Sequence, residues 1–259
     1  MPTPTFFDVL RGEALKTKGT WGLTLSLLGP LGVTTIILLY SIKESHNLQA
    51  STSDPWFQLG RYHFNFFFLL YPLFTALIAF LISNVEHRAR GFKQLFALPA
   101  PKFYFYLSKW LLLLGWLAAS LLLAAGLVYG SGYLLEWLFP AAPFDQFAPG
   151  DALWRFMLNM SIALLAVTAI HYFLSIYFDN FIISVGTACF LLIAGMVGSN
   201  WEYGHWIPYT YFTRLFIEYV SNGEGVLFSA REMWISLGYM LIFFIGGYWL
   251  FARKEVKAG

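Results

Sequence analysis

The sequence predicts an all-α polytopic membrane protein, and three observations carry that reading. Of 259 residues, 58% are hydrophobic and only 12% are charged. Soluble domains carry about 25% charged residues, so this chain cannot cover itself against water in the ordinary way. The apolar residues gather in six runs without Asp, Glu, Lys or Arg, each near the ~20 residues that cross ~30 Å of hydrocarbon. The basic residues then lie mostly on one side of those runs. The expected architecture is a single domain of six transmembrane helices. An N-terminal interfacial helix, a helix in a cytoplasmic loop and an outer short-helix hairpin before the last span complete it.

The elements follow in order. Over Thr3–Lys16, Phe6, Phe7, Leu10 and Ala14 recur at helical spacing, with Asp8, Arg11 and Glu13 on the other side. Residues 1–20 therefore read as a cytoplasmic segment whose amphipathic helix lies on the membrane surface. The spans are Trp21–Tyr40, Phe64–Ile82, Trp110–Gly130, Phe156–Ile176, Phe181–Val197 and Trp234–Phe251. The first is too long for the apolar core of a signal peptide, and no small-x-small cleavage site follows Tyr40. Gly29-Pro30 with Gly32 predicts a kink in it. Spans four and five are separated only by Tyr177, Phe178, Asp179 and Asn180. Read as one helix they would measure about 60 Å, too long for one crossing, so Asp179-Asn180 marks a tight turn.

Charge sets the orientation. With the N-terminus in the cytoplasm, 11 of the 16 basic residues fall inside and 9 of the 14 acidic residues outside. Both termini are then expected in the cytoplasm. The net charge of +2 gives no nucleic-acid footprint. The one cysteine, Cys189, excludes an intramolecular disulfide and the usual cysteine-based zinc sites.

Three segments between the spans carry pattern. In the loop Asn84–Lys109, Val85, Ala89, Phe92 and Phe96 form one apolar stripe of a short helix. Glu86 falls in its first turn, where a carboxylate suits the helix dipole. Arg88, Arg90 and Lys93 lie off the stripe, and Pro99 and Pro101 end the helix. A solvated basic loop would account for the charges but not for Phe92 and Phe96, which call for a membrane surface or a protein partner. The segment Gly198–Met233 holds Trp201, Tyr203, Trp206, Tyr209, Tyr211, Phe212, Phe216 and Tyr219. That density suits a membrane–water interface. Pro208 opens one short helix there and Ser221-Asn222-Gly223 closes it, with a second expected over Val226–Met233. The outer loop Ser131–Arg155, punctuated by Pro140, Pro143, Pro149 and Gly150, reads as irregular.

The run EHRARGFKQLFALPAPKFYFYLSKW, Glu86 to Trp110, resembles the ABC-2-type transporter permeases. The matching positions are Glu86, Gly91, Lys93, Leu95, Phe96, Leu98, Pro99 and Lys109. The order of elements is similar to that family over the whole chain. The small outer loops look most like those of lantibiotic-immunity and drug-export permeases. The resemblance implies two permease chains, a copy of this one or a relative, and two ABC ATPase subunits in a bacterial cytoplasmic membrane. ATP and Mg would be bound by the ATPase. The loop helix would be the coupling helix that docks on it, through Glu86, Arg88, Arg90, Phe92, Lys93 and Phe96. The bare chemistry agrees: no G-x-x-x-x-G-K-[ST] occurs, so this chain has no phosphate-binding loop of its own.

Within the spans, Ser161, Thr168, His171 and Ser175 share one face of span four. They are candidate pathway residues, with interhelical hydrogen bonding as the structural alternative. His171 reads as the only histidine inside a span, and Asn159 as interfacial. Gly126 and Gly130 make a G-x-x-x-G that names no interface by itself. Other functional classes remain in view. A channel or secondary carrier would need ion-coupling charges inside the spans. An intramembrane metalloenzyme would need more ligands than His171. A non-transporting anchor of an ABC-type machine would keep the ATPase. The expected cargo of an exporter with uncharged spans and an aromatic outer face is an amphipathic peptide, drug or lipid-like molecule.

Overall fold

The computed structural model describes residues 4–18, 20–45, 54–88, 99–147, 151–222 and 230–253. Among them it forms eight α-helices and no strand. The helices are α1 (Phe6–Thr17), α2 (Trp21–Lys43), α3 (Pro55–Arg88), α4 (Lys102–Leu138), α5 (Asp151–Tyr177), α6 (Phe181–Gly198), α7 (Thr210–Asn222) and α8 (Ala230–Arg253). Helices α2, α3, α4, α5, α6 and α8 are long and apolar enough to cross a membrane. An even number of crossings puts the two ends of the chain at one end of the bundle.

Local chemistry sets the ends of these helices. Thr5 and Asp8 form a reciprocal capping box that starts α1. Asn180 accepts the Ile182 N–H at 2.9 Å and starts α6 directly after the α5–α6 turn. Pro101 precedes the first residue of α4, where a missing N–H costs nothing. Helix α2 continues through Pro30.

Two helices run far past the apolar spans read from the sequence. Helices α3 and α4 have 34 and 37 residues, ~51 Å and ~55 Å of helix, well beyond the hydrocarbon thickness. The extra turns carry charge but are held by packing. Trp56, at the start of α3, lies edge-on to Phe144 and Tyr133. Its Nε1–H donates to the Phe144 carbonyl at 3.3 Å. Because α3 begins at Pro55, His63 also lies in a spanning helix, so His171 is not the only one. Helix α6, by contrast, has 18 residues, ~27 Å.

Helix α3 is the hub, touching α2, α4, α5, α6 and α7. The core divides in two. One cluster, including Trp56, Phe64, Phe156, Tyr209 and Tyr219, fills the end opposite the termini. The other, including Val9, Tyr106, Trp110, Tyr172 and Phe251, fills the end that carries them. Helices α6 and α8 leave most of their apolar side chains outward, among them Phe190, Ile193, Trp234 and Ile245.

The segment between α6 and α8 departs from its expected form. Its described residues contain a 3-10 turn, Gly204–Trp206, and one α-helix, α7. Residues 230–233, expected in a second short helix, belong to α8. Trp201, Tyr203 and Trp206 are exposed, but Tyr209, Tyr211, Phe212 and Tyr219 are buried in the bundle. Aromatic density alone does not separate an interfacial ring from a core ring. Asn159 is likewise buried rather than interfacial.

Candidate functional site

At the end of the bundle that carries the termini, four charged side chains from three helices meet. Glu13 comes from α1, Glu86 from the last described turn of α3 and Lys109 from near the start of α4; Lys16 of α1 completes the group. Lys109 Nζ donates a short hydrogen bond to Glu13 Oε2 and lies 2.7 Å from Glu86 Oε2. The second contact is poorly angled for a hydrogen bond, so its attraction is ionic. Lys16 Nζ lies 2.6 Å from Glu13 Oε1 and 3.4 Å from Glu86 Oε1. Glu13, Glu86 and Lys109 are only 1–3% exposed, whereas the Lys16 side chain is 40% exposed. Two carboxylates and two ammonium groups balance, the condition under which charges survive burial.

The cluster corrects two readings of the sequence. Glu13 was placed on the polar, outward side of α1. Instead Val9, Glu13 and Thr17 form the face packed on the bundle, while Phe7 and Leu15 point outward. The partner that makes Glu13 an inward residue, Lys109, is 96 positions away and invisible to local periodicity. The sequence pattern puts Glu86 in the first turn of a separate loop helix; in the structure it lies in α3, continuous with the spanning part of that helix. Burial works against the charge on Lys16, but the Glu13 and Glu86 carboxylates outweigh it and raise its pKa above the usual lysine value.

The cluster joins the two sides of residues 89–98. Glu86 precedes that segment in the chain and Lys109 follows it, so their ion pair ties α3 to α4. Arg90, Phe92, Lys93 and Phe96 of the expected coupling helix lie outside the described residues. Further bonds fix the same end. Ser83 and Ser175 join their hydroxyls at 2.9 Å, and His87 Nε2–H donates to the Ser175 carbonyl at 3.0 Å. Beside them a cavity of about 640 Å³ is lined by Phe80, Leu81, Asn84, His87, Asp179, Asn180 and Phe181.

The polar face of span four divides among different neighbours. Ser161 and Thr168 donate to the carbonyls of Met157 and Leu164 in their own helix. Both line a cavity of about 190 Å³ against Leu114, Leu117, Ala118 and Leu121 of α4. His171 meets Tyr209, and Ser175 meets Ser83 of α3. The structure therefore does not gather the four into one surface.

Six helices long and apolar enough to cross a membrane, with a buried ion group at one end of the bundle, define a polytopic membrane protein. The chain belongs to the ABC-2 family of transporter proteins, whose profile matches residues 9–195, from α1 into the last turn of α6. That family supplies membrane subunits of ABC transporters. Neither curated proteins nor solved structures gave a match.

Proposed function

We propose that the chain is the permease subunit of an ATP-driven ABC exporter. It moves an amphipathic peptide, drug or lipid-like molecule out of a bacterial cytoplasmic membrane, as in lantibiotic immunity or drug efflux. Two such permease chains, identical or related, work with two copies of a separate ATPase that binds ATP and Mg. Both termini and the segment Glu86–Lys109 face the cytoplasm in this reading. The observation that supports it is the Glu13–Lys109–Glu86 cluster, whose members flank residues 89–98 in the chain. A push on that segment would reach α1, α3 and α4 together, because buried ion pairs resist separation. The same charges argue against a secondary carrier. They neutralise one another at the helix ends and do not form a relay through the spans.

Phe92 and Phe96 would be the anchors of the loop on the ATPase, within a rim made by Arg88, Arg90 and Lys93. The test is the double substitution Phe92→Ala/Phe96→Ala. Anchors of this type are each worth on the order of 2 kcal/mol, so docking should weaken well over tenfold. Co-purification of the ATPase should collapse while the permease still inserts. A complex that survives the double substitution with normal ATP-driven transport would refute the coupling assignment.

A further inference from the structure

His171 and Tyr209 meet where the segment between α6 and α8 reaches deepest into the bundle. The Tyr209 backbone lies against Gly195, one turn before the end of the short helix α6. A Cβ on Gly195 would stand 2.7 Å from the Tyr209 carbonyl carbon and oxygen, so only glycine admits this approach. From there α7 climbs away. Phe216 stacks on Phe68 at 5.0 Å, and Tyr219 stacks on Phe57 at 5.1 Å and meets Phe64 edge-on at 4.7 Å. The ten steps from Tyr209 to Tyr219 rise ~15 Å toward Phe57 at the start of α3, so the start of α7 is its deeper end.

At that buried end the Tyr209 hydroxyl and His171 Nε2 share a short hydrogen bond, in which either atom can donate. The two side chains are 1% and 0% exposed. The other ring nitrogen, His171 Nδ1, is buried without a hydrogen-bond partner among the described residues. The rest of the segment is tied both to itself and to its neighbours. Arg214 lies 3.6 Å from Glu232 of α8, Arg231 of α8 reaches His205, and the Tyr219 hydroxyl donates to the Phe57 carbonyl of α3 at 3.3 Å. Thr210 Oγ1 donates to the Gly204 carbonyl at 2.7 Å, and the Tyr211 hydroxyl to the His205 carbonyl at 2.5 Å. Arg214 donates to the carbonyls of Ser199 and Trp201 at 2.9 and 3.1 Å.

We propose that His171 and Tyr209 form a latch, and that residues 199–222 swing as one unit when it opens. Two opposed effects poise it. The hydrogen bond in an apolar interior favours the seated state. The unpaired Nδ1 favours an open state, in which water reaches both ring nitrogens and the phenol. Release separates Tyr209 from Gly195 and uncovers the seam between α5 and α6, on the face of the bundle opposite the termini. The use of this movement in transport rests on the exporter reading; the movement itself does not.

Hydrogen–deuterium exchange of the intact chain in lipid nanodiscs tests the latch without an ATPase. In Tyr209→Phe, amides 204–214 should exchange about tenfold faster or more, with residues 236–251 of α8 unchanged. Adding His171→Leu removes the stranded imidazole, so the thermal midpoint should recover while 204–214 stay fast. Unchanged exchange in Tyr209→Phe would overturn the proposal. Uniform acceleration in every helix would too, because the pair would then be an ordinary core contact. So would a double variant that regains slow exchange together with stability. Should the single variant fail to fold, the double variant decides between these outcomes.

Discussion

Aromatic packing holds both ends of the bundle, but only one end adds a buried ion group. Where the termini lie, three buried charges and one half-exposed lysine join α1, α3 and α4. At the opposite end no comparable buried ion group occurs among the described residues, and aromatic packing acts without one. Phe64 and Phe156 stack at 3.6 Å, Trp56 packs against Tyr129, Tyr133 and Phe144, and Tyr219 against Phe57 and Phe64. A charge cluster concentrates stability in a few atoms and fails when one is lost. Packing spreads it over many contacts and yields by degrees. The first suits an end that must transmit a push, the second an end whose parts shift against one another.

The largest effect is expected from Lys109→Met. It strands two buried carboxylates with only the half-exposed Lys16 to answer them, at a cost of about 3–5 kcal/mol. Thermal unfolding in detergent should show a large drop. The neutral triple variant Glu13→Gln/Glu86→Gln/Lys109→Met should recover most of it, since no buried charge then lacks a partner. Lys16→Met should do less, because its partners keep Lys109 and its own charge is partly solvated. The pKa of Lys16 is raised on folding, so its contribution is present below the ordinary lysine value and is lost as pH rises through the higher folded one. Between pH 6 and 9 it should be flat. A milder loss in Lys109→Met than in Lys16→Met would remove the contrast between the two ends.

A middle-sized effect belongs to the aromatic end. A Cβ at Gly132 would meet the Trp56 ring at 2.2 Å, and Trp56 is held by three aromatic neighbours and its Nε1–H bond. Gly132→Val should cost about 1–3 kcal/mol, the usual range for overpacking. Exchange over 129–146 should rise while α1 stays protected. Gly126→Ala is the control. Nothing lies within 4 Å of its new methyl group, so stability should hold or rise slightly.

The sequence shows the two ends unequally, for a reason of range. Spans are a property of composition over ~20 residues, so all six helices were legible, as was the Asn180 turn. Their true ends were not, because the turns beyond Phe64 and Gly130 carry polar residues yet are held by Trp56 and Phe144 from elsewhere in the chain. The motif from Glu86 to Lys109 could be read as a pattern, but not the contact that gives both residues their purpose. Glu13 was misread because its helix is amphipathic in two senses: one apolar face turns to the surroundings, while a mixed face turns to the bundle. His171 stood out as polar in an apolar run. Its partner did not, since Tyr209 sits among aromatics that resemble one another until the fold sorts buried from exposed.

The smallest effect lies at the very start of α1, and it tests whether the ion cluster or the cap holds that helix in place. Asp8 is fully exposed, and hydrogen bonds from the Thr5 side chain and backbone hold its pKa below the ordinary 3.8. A depressed carboxyl contributes above its unfolded value and loses that contribution as pH falls through the folded one. Acidification below about pH 4 should therefore fray the first turn of α1, and Thr5→Ala should produce the same fraying at neutral pH. Exchange of the amides of residues 6–9 should rise in both cases. Residues 13–17 should stay protected in Thr5→Ala, because Glu13 still pairs with Lys109 at the far end of the helix. If Thr5→Ala releases the whole of α1, the cap and not the buried pair is what seats the helix, and the contrast between the two ends loses its foundation.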